Sequence, residues 1–164
     1  MFSTIVLLVT LAWMANSCVL LGDPLDASVA LGRGAPTKNN ELGITIVARR
    51  CEELRVNRIK VVDATGQTVV DKGSPPIWMV GKDDADGSAR EFPIVIGSDF
   101  GSGFSTTRPL QSELPEDFNL VIDFEGGGRF DFTYARADLE ALSPDEVLAY
   151  GHATPTASFQ SQSC

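Results

Sequence analysis

Asp123, Glu125 and Asp131 flank the run Gly126-Gly127-Gly128, and these close-set carboxylates are the chain's best material for acid–base chemistry. Paired carboxylates hydrolyse glycosides when held about 5–9 Å apart across a sugar cleft. A second acidic group, Asp83, Asp84 and Asp86 in KDDADG, invites comparison with a calcium loop. In that register Lys82 stands at the first ligand position and Pro93 at the twelfth, where Asp and Glu are required. Asp83, Asp84, Asp86, Asp123 and Asp131 are therefore only weak metal candidates. No metal and no cofactor is expected.

Other catalytic patterns are missing. The one histidine, His152, stands near the C-terminal end, and HExxH, G-x-S-x-G, Walker A and CxxC sequences do not occur. GSGFST (101–106) has two glycines of a dinucleotide fingerprint and lacks the third. No catalytic residue is assigned, and the chain is expected not to be an enzyme. The stretch Gly97–Thr107 carries Phe100 and Phe104 among small polar residues. Such a loop either offers its aromatics to a ligand or folds them back over the core.

Three cysteines, Cys18, Cys51 and Cys164, exclude a four-cysteine zinc site. Ser17-Cys18 has the form of the end of a lipobox, in which Cys18 is lipidated and becomes the mature N-terminus. Cys51 and Cys164 then remain, as a disulfide in an oxidising compartment or as a buried apolar residue and a free thiol.

The elements that position these residues follow from hydrophobic periodicity. In NLVIDFEGGGRFDFTYAR, Leu120, Ile122 and Phe124 alternate with polar neighbours, as do Phe130, Phe132 and Tyr134 beyond the glycines. A loop at Gly126–Gly128 sets Phe124 opposite Phe130, Glu125 opposite Arg129 and Asp123 opposite Asp131, the last an unfavourable like-charge pair. LGITIVAR, RIKVVD, Ile77–Val80 and Phe92–Ile96 read as further strands, with DATGQT turning a hairpin toward Val69-Val70. Trp78 is the expected core tryptophan. Ser143-Pro144-Asp145-Glu146 carries the signals of a helix start and predicts a short helix or turn through Tyr150, ended by Gly151.

Residues 1–22 carry no charge, and the run Ile5–Leu21 is broken only by Thr10, Asn16 and Ser17. This is the pattern of an export or anchoring segment, read as a lipoprotein signal, an uncleaved helix or a cleaved signal, in that order. The expected organisation is an anchor at 1–22, a linker at 23–40, an immunoglobulin-like β-sandwich at 41–151 and a flexible tail at 152–164. The net charge of −9 argues against nucleic acid as a partner. That charge is uneven: residues 41–82 hold seven Lys/Arg and five acids, and residues 83–164 hold four and fifteen.

With Ser17-Cys18, the polar stretch after it, LGITIVARRC and ADLEALSPDEVLAYG, the chain resembles small exported bacterial lipoproteins with a β-sandwich domain. The resemblance implies an envelope location and no particular activity. The expected function is a membrane-tethered extracytoplasmic binding or interaction module. The alternatives are an exported hydrolase using Asp123, Glu125 and Asp131, and a cation-dependent adhesion domain.

Overall fold

The computed structural model describes residues 29–49, 54–67, 73–82, 92–98, 100 and 103–162. Two antiparallel five-stranded sheets pack as a mostly-β sandwich with two short helices. The first sheet contains β1 (Val29–Arg33), β2 (Ile44–Ala48), β5 (Ile94–Val95), β9 (Glu146–Ala149) and β10 (His152–Pro155), in the order β10-β9-β1-β2-β5. The second contains β3 (Val56–Asp63), β4 (Trp78–Lys82), β6 (Phe104–Arg108), β7 (Asp117–Phe124) and β8 (Arg129–Ala135), in the order β6-β4-β3-β7-β8. Helix α1 (Arg136–Glu140) follows β8 directly, and α2 (Thr156–Ser161) follows β10.

The core lies between the sheets. Leu31, Ile44 and Ile46 from the first meet Ile59, Val61, Trp78, Val80, Phe118, Leu120 and Ile122 from the second, all buried. Trp78 is the core tryptophan, and its Nε1 has no hydrogen-bond partner among the described residues. β7 alternates as expected, because its sheet packs on one face and meets water over much of the other.

Several elements differ from expectation. The stretch read as linker contains β1, whose Val29, Ala30 and Leu31 are buried and which lies in the middle of its sheet. A strand covered on both faces shows no alternation, so its sequence looks patternless. Asn40, in the same stretch, is 1% exposed: its Oδ1 accepts from Ile44 N–H, and its Nδ2 donates to Ile44 and Ile96 carbonyls. The helix expected at Ser143–Tyr150 is strand β9. Ser143 N–H does donate to Glu146 Oε2, as in a capping box, but Val147 and Leu148 pair with β1 instead of closing helical turns. The stretch read as a tail forms β10 and α2. Phe159 of α2 is buried with Ala30, Val147 and Ala149 on the outer face of the first sheet, under the Arg49 guanidinium 5.2 Å from its ring. The end of the Phe100/Phe104 loop is strand β6, and β5 is two residues long. β3 lies between β4 and β7, and the expected hairpin partner Val69-Val70 falls outside the described residues. No helix among the described residues is long and apolar enough to cross a membrane, and the segment 1–22 is not among them.

Candidate functional site

The β7–β8 hairpin turns one residue earlier than expected. Phe124 N–H donates to Gly128 C=O at 2.8 Å and Gly127 N–H to Phe124 C=O at 3.2 Å, so the loop is Glu125–Gly127. Gly126 and Gly127 have φ of +92° and +96°, a region that residues with a Cβ rarely enter. The register follows: Asp123 faces Arg129, Ile122 faces Phe130, and Asp131 faces Val121. The expected pairs Asp123–Asp131, Phe124–Phe130 and Glu125–Arg129 do not form, and neither does the like-charge clash.

Instead, a row of paired residues crosses four strands on the outer face of the second sheet: Gly81, Arg58, Asp123 and Arg129. Gly81 presents no side chain here; a Cβ on it would lie 3.6 Å from the Arg58 side chain and 3.2 Å from Asn57 O. Arg58 Nε and Nη2 donate to Asp123 Oδ2 at 2.8 and 2.6 Å, and Arg129 Nε donates to Oδ1 at 2.7 Å. Both arginine side chains are about half exposed, at 46% and 52%, against 19% for Asp123. Burial pushes the Asp123 carboxyl up, but hydrogen bonds from Arg129 and Arg58, with their two positive charges, outweigh it and hold the carboxyl below its ordinary value. Asp123 raises Arg129 in return, through the same hydrogen bond and charge.

Neighbouring groups extend this plate. Glu125 lies 3.6 Å from Arg55 and 3.4 Å from Lys82, and its N–H donates to Arg55 C=O. Asn119, 6% exposed, donates to Asp131 Oδ1 at 2.9 Å and to Thr133 Oγ1 at 3.3 Å. Asp123, Glu125 and Asp131 therefore do not converge on one point; each is held by a different set of donors. The alternation of RIKVVD puts Arg58 and Lys60 on one face, but no feature of the sequence brings that face beside Asp123.

The triad has a pH signature. A carboxyl depressed by folding adds stability above its unfolded value of about 4 and loses it as pH falls through the folded value. Asp123→Asn is expected to lower stability at neutral pH by up to about 1 kcal/mol, the range of exposed ion pairs. The difference from wild type should vanish in acid. Urea unfolding at pH 7 and pH 2.5 checks this, and a difference independent of pH would refute the charge assignment.

The remaining candidates are dispersed. Phe104 is 2% exposed, and Phe100, packed on the core, meets it edge-on at 5.5 Å. His152 begins β10, on the sheet opposite the carboxylates. Cys18, Cys51, Cys164, Asp83, Asp84 and Asp86 lie outside the described residues. Among the described residues, no three His, Cys, Asp or Glu side chains are grouped to hold a metal. A cleft of about 510 Å³ opens beside α1, lined by Glu116, Asp117, Ala135, Arg136, Ala137 and Glu140. Arg136 is occupied there, donating to Glu140 Oε1 at 2.9 Å and to Leu114 C=O at 3.1 Å.

Compared with protein-family models, curated proteins and solved structures, the chain matches none. The class it defines rests on its own structure: a two-sheet β-sandwich with an ion-paired plate on one outer face.

Proposed function

We propose that the chain is a membrane-tethered extracytoplasmic β-sandwich acting as a non-catalytic binding or interaction module of the cell envelope. The observation that carries the reading is the Arg58–Asp123–Arg129 triad, charges fixed on three adjacent strands and turned to solvent. Rigid strands hold such groups in place before a partner arrives, which limits the entropy lost on binding. The uncharged run at 1–22 supports the tether. The order β1-β2-β5 facing β4-β3-β7-β8 follows the A-B-E and C′-C-F-G order of immunoglobulin domains and supports that finer architecture. The hydrolase alternative is disfavoured at Asp123, since a general acid near neutral pH needs a raised pKa and this carboxyl is lowered.

Fractionation of cells expressing the full chain, with the mass of the mature protein, tests the tether. The expected result is a protein in the membrane fraction that begins at lipid-modified Cys18, with Cys18→Ser accumulating as precursor. A single acyl chain binds membranes only marginally, so two chains or a spanning helix are needed for stable attachment. Residues 1–17 retained with unchanged membrane association would replace the lipid by an uncleaved helix. Recovery of the wild type in the cytosol would overturn the proposal.

A further inference from the structure

Strand β1 begins at the end of the sandwich that holds an ion-paired group of four basic and two acidic side chains. Val29, the first residue of β1, pairs with Ala48, the last of β2. The other ends of these strands are fixed by three long-range bonds. Arg33 donates to Leu142 C=O at 3.2 Å, Asn39 donates to Leu110 C=O, and Glu41 N–H donates to Glu113 at 3.3 Å. That end also holds the start of β7 and helix α1, with Glu113, Glu116, Asp117 and Glu140 beside Arg108 and Arg136. Val29 therefore lies toward the opposite end, where β3 starts, β4 and β7 finish and β8 begins. There stand Arg55, Arg58, Lys82 and Arg129, against Asp123 and Glu125.

The connection to the apolar run is short. Ten residues, 19–28, separate Cys18 from Val29, because β1 begins within the stretch that reads as linker. Fully extended they reach about 33–36 Å, and the six residues after an uncleaved run 1–22 reach about 20 Å. The eight-residue strand β7 alone is about 26 Å long. A membrane that holds Cys18, or the whole run 1–22, thus lies closer to the Val29 end than to the other, and the domain stays within a few tens of ångströms of it.

We propose that the surface around Arg55, Arg58, Lys82 and Arg129 rests on the phosphates of anionic phospholipids in the membrane to which the chain is tethered; this inference rests on the tether proposed above. Guanidinium groups match phosphate oxygens in forked geometry. Asp123 engages Nε and Nη2 of Arg58 and Nε of Arg129 while leaving both side chains half exposed, so it orients the two guanidiniums without covering them.

Hydrogen exchange on the full chain, reconstituted in phosphatidylcholine vesicles with or without phosphatidylglycerol, tests the contact by position. Amides of the tip 126–128 are expected to exchange several-fold more slowly in the anionic vesicles than in the zwitterionic ones, while 112–116 at the far end stay unchanged. The difference should disappear in about 1 M salt, where the screening length is about 3 Å. Arg58→Gln with Arg129→Gln should float with vesicles as wild type does but lose the dependence on composition. Arg55→Gln with Lys82→Gln, outside the triad, should weaken it while leaving the triad intact. Equal exchange in both vesicle types, with the protein floating in both, would overturn the headgroup contact and leave the tether standing. Protection at 112–116 instead would reverse the orientation and overturn it too. Failure to float with either vesicle would bring down the tether, and this inference with it.

Discussion

Phe124→Ala is expected to lower stability by about 3–5 kcal/mol, the usual cost of removing a buried phenylalanine ring. Phe132→Ala, on the neighbouring strand and in the same alternation, is expected to cost only about 1–2 kcal/mol, in proportion to its partial burial. The contrast comes from where the rings sit. Phe124 is 3% exposed and packs in the core, with the Phe92 ring 6.4 Å away. Phe132 is half-buried, and its ring meets Tyr134 at 5.0 Å and the exposed Tyr150 at 6.4 Å. Tyr150 sits in a tight turn at φ +53° beside Gly151 at +73°, between two paired strands, and can shift to fill part of the space that Phe132 leaves. Against a typical domain stability of about 5–15 kcal/mol, the first substitution removes a large fraction and the second a small one. Urea unfolding of both variants measures the difference. Equal losses would mean that β8 sits deeper in the sandwich than the register allows, and two negligible losses would refute the hairpin.

The same two residues show what the sequence can and cannot convey. Alternation found both strands of the hairpin and their inward faces, since one face of that sheet meets solvent at many positions. It could not fix the register, because sliding the glycine loop by one residue keeps every inward side chain inward and changes only who faces whom. That slide decides the charged triad: a loop at Gly126–Gly128 sets Asp123 against Asp131, whereas its partners in the fold are Arg129 and Arg58. Arg58 lies 65 residues from Asp123, and nothing in the sequence links β3 to β7.

The first sheet was harder to read for a different reason. β1 and β9 are covered on one face by the core and on the other by Phe159 of α2, so their short apolar runs carry no period. Gly32 adds to the confusion, since glycine normally signals a loop. Here a Cβ would lie 3.2 Å from Val147 Cγ1, so its absence lets two central strands come close. The helix signals at Ser143–Glu146 are genuine local chemistry, a reciprocal backbone and side-chain contact, overridden by strand pairing two residues later. Local propensity loses where a long-range partner offers more burial.

Asn40→Leu is expected to lower stability by about 2–5 kcal/mol, although leucine has the same number and branching of side-chain heavy atoms and the site is fully enclosed. The loss comes from backbone groups left without partners. Asn40 Oδ1 accepts from Ile44 N–H at 2.9 Å, and Nδ2 donates to Ile96 C=O at 2.9 Å and Ile44 C=O at 3.1 Å. Leucine supplies none of these; Ile44 C=O keeps the Ile96 N–H, but Ile96 C=O loses its Asn40 donor and Ile44 N–H its side-chain acceptor. Asn40→Asp separates the two halves of the bonding. A carboxylate still accepts from Ile44 N–H but points its other oxygen at two carbonyls, so the folded protein favours the protonated acid, which can donate one bond. Its folded pKa is then raised, and the extra destabilisation begins above the unfolded value of about 4 and grows until pH passes the folded value. The Asp variant should therefore approach wild-type stability at pH 3 and fall well below it at pH 7, while the Leu variant is weakened at both. Denaturant melts at the two pH values decide it. A leucine variant within about 0.5 kcal/mol of wild type, the scatter of ordinary surface substitutions, would mean that Asn40 does not tie β2 to β5.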